Sequence, residues 1–186
     1  MNAFDSAISE WLFSLSSIGS FSWLWVLFAR LSIYFLVFLF LFVLIRYRTS
    51  MKERLFFVLF LLFQFIISWG LITQTLSFLT ARVRPFSALS FEPLFYTLSH
   101  TAAFPSGHTV SMFGIVAVIF LIHKKTGLWA GALALLSALS RVISGVHWVG
   151  DVIGGIVIAL GVVFILWYLW GHDLWRKIHR DEEKSM

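Results

Sequence analysis

The sequence predicts an all-α, integral-membrane helical bundle, with about five transmembrane helices preceded by an amphipathic helix in the interface. Three observations carry that expectation. The 186 residues are 60% hydrophobic and 18% aromatic but only 12% charged, which excludes an ordinary water-soluble domain. The charged residues cluster, leaving charge-free runs at 31–45, 55–81, 93–123, 126–140 and 152–172. Finally, the basic residues sort to alternate connections, as a membrane topology demands.

In the first element Phe4, Ala7, Ile8, Trp11, Leu12 and Leu15 recur at helical spacing opposite Asn2, Asp5, Ser6, Ser9 and Ser16, which predicts an interfacial helix over 2–17. It has no Lys or Arg, so it lacks the basic start of a signal peptide and is expected to be retained. Spans are predicted at 21–45, 55–79, 106–123, 128–143 and 152–170. At about 1.5 Å per residue the first two cross with tilt, while the third and fourth are short enough for their ends to sit below the surface. A mixed-charge cytoplasmic tail is expected over 172–186. The whole chain, 1–186, reads as one membrane-embedded domain without internal repeats.

Five spans place the termini on opposite sides. Arg46, Arg48, Lys52 and Arg54 fall in the first connection, Lys124 and Lys125 in the third, and Arg176, Lys177, Arg180 and Lys184 in the tail, so these ten mark the cytoplasmic side. The net charge of +5 is thereby explained by topology and needs no nucleic-acid partner. Arg30, Arg82, Arg84 and Arg141 require another reason. All three prolines lie in the outward 84–105 stretch, which cannot be one helix. The absence of cysteine excludes disulfides and thiolate metal sites. Tryptophans 11, 23, 25, 148, 170 and 175 suit interfacial belts, and the Gly-x3-Gly spacings at 127–131 and 150–154 suit close helix packing. His123, His172 and His179 fall on the cytoplasmic side and read as solvated; Glu92 and His100 lie in the outward loop.

Three patterns gather at outward helix ends: Arg82-Val83-Arg84-Pro85, Pro105-Ser106-Gly107-His108, and Ser140-Arg141 continuing to His147 and Asp151. Together they make an anion site at the membrane surface. Pro105 presets the first helical turn, Ser106 offers a hydroxyl and an N–H, Gly107 admits backbone close to an oxyanion, and His108 projects from the same turn. His147 and Asp151 are four residues apart, so on a helix the carboxylate can accept the Nδ1 proton and leave Nε2 as a nucleophile. Arg84 and Arg141 present forked donors that match phosphoryl oxygens.

These motifs resemble those of the type 2 phosphatidic acid phosphatase (PAP2) superfamily, the lipid phosphate phosphatases, whose pattern is K-x6-RP, then PSGH, then SR-x5-H-x3-D. The second and third are complete here at 105–108 and at Ser140, Arg141, His147 and Asp151. The first is partial: Arg84-Pro85 is present, but Ser77 stands where the family has Lys, and Arg82 is the basic residue nearest to replacing that charge. The resemblance covers roughly 77–155. It implies a bacterial lipid phosphatase of the inner membrane with its site facing the periplasm. His147 is then the nucleophile that forms a phosphohistidine, Asp151 its partner and His108 the general acid, while Arg82, Arg84, Arg141, Ser106 and Gly107 bind phosphate. It implies no cofactor and no metal. The substrate class is a phosphorylated lipid, mono- or diphosphate: phosphatidylglycerophosphate, undecaprenyl diphosphate, phosphatidic acid or lipid A 1-phosphate.

Other readings stay open at this level. A phosphohistidine can pass its phosphoryl group to a second lipid instead of water. Ser106 with His147 and Asp151 has the parts of a serine hydrolase, against which the paired arginines argue. Vanadate-dependent halide oxidation is known in soluble relatives of the superfamily. A non-catalytic binding or transport site for anionic lipid explains the arginines but leaves both histidines without a role.

Overall fold

The computed structural model describes residues 3–17, 22–48, 50–97 and 102–183, and among these there are helices and connections but no strand. Helix α1 (Ala3–Ser14) ends in a 3-10 turn, Leu15–Ser17. Helix α2 spans Ser22–Tyr47. Helix α3 (Met51–Phe65) starts at Ser50, whose hydroxyl accepts the Lys52 N–H, and runs through a π-helical stretch, Ile66–Thr73, into α4 (Gln74–Thr80). A single turn opened by proline, α5 (Pro85–Ala88), interrupts the next connection. Then come α6 (Gly107–Ile122), α7 (Lys124–Ile143) and α8 (Val149–Leu166), which continues through a second π-helical stretch, Trp167–Gly171, into α9 (His172–Glu183). Four stretches are long and apolar enough to cross a membrane, Ser22–Tyr47, Met51–Ala88, Lys124–Ile143 and Val149–Ile178, with Gly107–Ile122 a shorter apolar helix.

Helix α6 is the axis of the bundle. It packs against α2, α3, α7, α8 and the first π-helical stretch, and 11 of its 16 residues are buried. A helix wrapped on all sides has no polar face, which is why its sequence is apolar all round. Its 16 residues rise only about 24 Å, less than the roughly 30 Å of a hydrocarbon core, so its ends lie recessed inside the bundle.

At one end the basic connections converge. Arg48 Nη2 donates to the last carbonyl of α6, at Ile122 (3.2 Å), and its guanidinium lies 4.6 Å over the Trp175 ring, while Arg54 Nε donates to the Arg48 carbonyl (2.7 Å). The segment expected as a tail is thus helical to Glu183, and Trp175 packs onto Phe56 and Phe57.

The opposite end differs from expectation in two ways. Trp148 is no interfacial anchor: it is fully buried, and its indole N–H donates to the Val83 carbonyl (2.8 Å). Helix α1 lies across the ends of α7 and α8 with its polar side turned into the protein, Ser9 being buried, while Phe4 and Trp11 are 71% and 63% exposed.

Helix α7 closes in a Schellman arrangement: the Val146 N–H returns to the Arg141 carbonyl (3.2 Å) and the Gly145 N–H to Val142 (2.8 Å). Gly145 takes φ +75°, and a Cβ there would sit 2.5 Å from the Phe91 ring and 3.0 Å from Phe13. Gly145→Ala is therefore expected to destabilise the fold by about 1–3 kcal/mol and displace His147, two residues on. Gly161→Ala, where nothing lies within 4 Å of the new Cβ, should be neutral or stabilising by up to about 1 kcal/mol. Thermal unfolding of the two variants in detergent checks the contrast.

Candidate active site

The start of α6 and the turn between α7 and α8 open onto a cavity of about 750 Å³ at the end opposite the basic connections. Arg84, Gly107, His108, Arg141 and His147 line it, so five of the eight residues singled out from the motifs reach the same space. A second hollow, about 520 Å³, lies between α6, α7 and α8 around Phe113, Gly131 and Trp167, and its lining carries no titratable group. The chemistry therefore belongs to the first.

His147 does not stand on a helix, as its spacing from Asp151 suggested. Trp148 is the cap of α8, so His147 precedes the cap and Asp151 is the third helical residue. From there the Asp151 carboxylate reaches back, and Oδ2 accepts the Trp148 N–H at 2.8 Å while standing 3.4 Å from His147 Nδ1. The nearer acceptor of the Nδ1 proton is the Ala103 carbonyl, at 2.9 Å. With Nδ1 as the donor, Nε2 carries the lone pair, and it faces Arg84 Nη1 at 3.3 Å.

His147 is 3% exposed and lies between two arginines. Burial first, and then the charges of Arg141 and Arg84, hold its imidazole well below the usual histidine range, against the hydrogen bond to Ala103. The ring is thus neutral at neutral pH, the form a nucleophile needs.

Backbone carbonyls orient two of the arginines. Arg84 Nη1 donates to the Val146 carbonyl (2.9 Å) and Arg141 Nη1 to Ala29 (3.2 Å). Arg141 Nε is buried with no hydrogen-bond partner among the described residues, a donor left for an anion in the cavity. His108 stands exposed on the first turn of α6, beside Gly107 and the positive end of that helix.

Two motif residues, Ser106 and Arg82, hold different posts from those expected, while Asp151 stays beside His147. Ser106 does not face the cavity: it is fully buried, its N–H donates to the Asp151 carbonyl (3.0 Å) and its hydroxyl accepts from Thr109 (3.0 Å). It ties the start of α6 to the start of α8. Asp151 is buried beneath His147, outside the lining. Arg82, expected on phosphate, instead bridges two carboxylates, Asp151 (2.7 Å) and Asp5 (2.5 Å).

The sequence left Arg30 unplaced, and it lines the cavity, with its guanidinium 4.8 Å over the Phe95 ring and no carboxylate partner among the described residues. Its signal was its position: an arginine inside an apolar span faces polar space. Ser77 lines the same cavity. Glu92 is exposed and does not line it; His100 lies outside the described residues. Among the described residues no three His, Asp or Glu side chains converge as metal ligands would.

A profile of the PAP2 superfamily matches residues 55–175. The chain is 46% identical over 67 residues to the bacitracin transport permease protein BcrC of Bacillus licheniformis, covering 35% of this chain and 32% of that protein. It is 32% identical over 117 residues to YbjG of Escherichia coli (strain K12), named as a candidate undecaprenyl-diphosphatase, covering 58% and 56%. It is 38% identical over 96 residues to phosphatidylglycerophosphatase B of Bacillus subtilis (strain 168), covering 46% and 44%. The matches span from about a third to a little over half of the length of these relatives. Among solved structures, a transmembrane PAP2-type phosphatidylglycerolphosphate phosphatase from Bacillus subtilis superposes with a TM-score of 0.64 at 28% identity, covering 88% of this chain and 82% of that one.

The buried neutral imidazole carries a pH signature. Because the folded-state pKa of His147 is depressed, the unfolded chain takes up a proton that the folded chain refuses as pH falls through about 6.5. Native stability should therefore decline below that pH, and His147→Asn should flatten the decline. Melting temperatures of both proteins between about pH 7.5 and 5 check this.

Proposed function

Since this integral-membrane chain belongs to the PAP2 superfamily, we propose that it is a lipid phosphatase that cleaves a phosphate monoester or diphosphate lipid through a phosphohistidine on His147. The observation that carries the proposal is the posture of that ring: Nδ1 held by the Ala103 carbonyl, Nε2 turned toward Arg84 within an arginine-lined cavity. Nε2 attacks phosphorus, the bond to the leaving oxygen breaks, and His108 supplies that oxygen with a proton. Arg84, Arg141 and the open first turn of α6 hold the remaining phosphoryl oxygens as charge spreads over them. The imidazolium formed on His147 is balanced by Asp151, 3.4 Å from Nδ1. Water, deprotonated by His108, then cleaves the N–P bond and returns both histidines to their starting states.

Arg30 completes the reading. With the neutral Ser77 on the cavity wall, it supplies a third guanidinium to the phosphate. The basic end is assigned to the cytoplasm and the cavity to the outer face of a bacterial inner membrane, following the charge asymmetry. The relatives named for phosphatidylglycerophosphatase and undecaprenyl-diphosphatase activity support a lipid carrying a terminal phosphate, and phosphatidic acid and lipid A 1-phosphate share that chemistry.

The purified protein should release phosphate from at least one lipid of a panel containing phosphatidylglycerophosphate, undecaprenyl diphosphate, phosphatidic acid and lipid A. The release should persist in EDTA and stop with vanadate. His147→Ala should lower kcat by roughly a thousandfold or more. Arg30→Ala, which removes one charge-assisted contact, should raise KM by about tenfold. Labelled phosphate recovered in a second lipid instead of as inorganic phosphate would make the enzyme a phosphotransferase.

A further inference from the structure

We infer that Asp5, on the N-terminal helix α1, is a positioning residue for Asp151 and through it for His147, acting by way of Arg82. The inference rests on the phosphatase reading of the cavity. Its physical basis is a cap supplied by another helix. The first-turn N–H groups of a helix need acceptors, which the cap residue normally provides from its own side chain. Trp148 occupies the cap of α8, and an indole has a donor but no acceptor. Helix α1 provides what Trp148 cannot: Ser9 Oγ accepts the Val149 N–H (3.0 Å) and Asp5 Oδ1 accepts the Gly150 N–H (2.9 Å). Ser9 in turn donates to the Asp5 carbonyl (2.7 Å), which fixes the pair within α1.

The other oxygen of Asp5 continues the connection. Oδ2 takes Arg82 Nη2 at 2.5 Å, and Arg82 Nη1 takes Asp151 Oδ1 at 2.7 Å. The guanidinium also lies over the Trp148 ring, 5.5 Å from its centroid. Gly150 leaves the room this needs, since a Cβ there would stand 2.8 Å from Asp5 Oδ2 and 3.3 Å from Arg82 Nη1. Asp5 is thus linked to Asp151 by two routes, through the backbone of the preceding residue and through a shared arginine.

The charge balance gives the arrangement a catalytic consequence. Asp151 and Arg82 alone form a neutral pair; with Asp5 the three groups carry one net negative charge beside His147. That charge favours the imidazolium created when Nε2 bonds to phosphorus. Without Asp5 the part-exposed Arg82 has one carboxylate left, and Asp151 spends its charge on it. The loss falls on the chemical step, because Asp5 does not line the cavity.

The test measures phosphate release by the full-length protein in detergent from micellar phosphatidic acid and from a polyprenyl diphosphate. Asp5→Asn is expected to lower kcat by about ten- to a hundredfold with KM changed less than about twofold. Asp5→Glu should restore most of the rate. The double variant of Asp5→Asn with Arg82→Gln should be no slower than Arg82→Gln alone, because the two residues act along one connection. A wild-type kcat in Asp5→Asn, multiplied losses in the double variant, or a loss that merely follows the folded fraction in a melting curve would each overturn the inference. His147→Ala separates the two levels. If it stays fully active, the phosphatase reading falls and this inference with it; if it is inactive while Asp5→Asn is unimpaired, only the role of Asp5 falls.

Discussion

A carboxylate sealed from water persists only if its oxygens are occupied, and at this end of the bundle the structure is organised around one such group. Asp151 has no exposed surface. Its Oδ2 takes the Trp148 N–H, its Oδ1 takes Arg82, and its own carbonyl takes the Ser106 N–H. Each bond reaches a different part of the chain: the turn before α8, the connection after α4, and the start of α6. Gly155 lets α8 come close enough for the last of these, since a Cβ there would lie 3.0 Å from the Ser106 carbonyl oxygen. The motif residues converge because this single side chain and its backbone join the segments that carry them.

The cations meet the same constraint with the opposite solution. Arg84 and Arg141 are almost fully buried, and they donate to the carbonyls of Val146 and Ala29. Carbonyl dipoles orient a guanidinium without cancelling its charge, whereas an ion pair would cancel it. Arg82 shows the contrast, since two carboxylates consume its charge and it plays no part in the cavity wall. In a low-dielectric surround, clustered guanidinium charge is unfavourable without an anion beside it, which suits the phosphate proposed for the cavity.

How far the sequence reveals this depends on the distance over which each residue acts. The five apolar helices, the sided basic residues and the clustering of Arg84, His108, Arg141 and His147 follow from local composition and spacing, and the chain folds accordingly. The posts of Ser106 and Arg82 do not follow from spacing, which says that two residues are near but not which atoms meet. Ser106 looked like a phosphate donor because its partner, the Asp151 carbonyl, is a backbone atom with no sequence signature. Trp148 looked interfacial because tryptophan composition cannot tell a belt from a buried cap. The inward polar face of α1 was visible as amphipathicity, but its target, the uncapped start of α8, was not.

The dimensions of α6 bear on what can enter the cavity. The helix is about a fifth shorter than a bilayer core, and the cavity opens at one of its ends. Its wall combines the guanidinium-rich floor with Leu31, Tyr34 and Tyr96. Leu31, Tyr34 and Tyr96 are themselves exposed, so the apolar rim is continuous with the outer surface of the bundle rather than sealed from it. An inorganic phosphate ion would meet the arginines but leave that rim unsatisfied. A phosphate attached to a hydrocarbon tail, the substrate proposed above, would satisfy both, with the tail among lipids and the headgroup at His147. Charge and the apolar rim together therefore fit the proposed lipid phosphate better than a free phosphate ion.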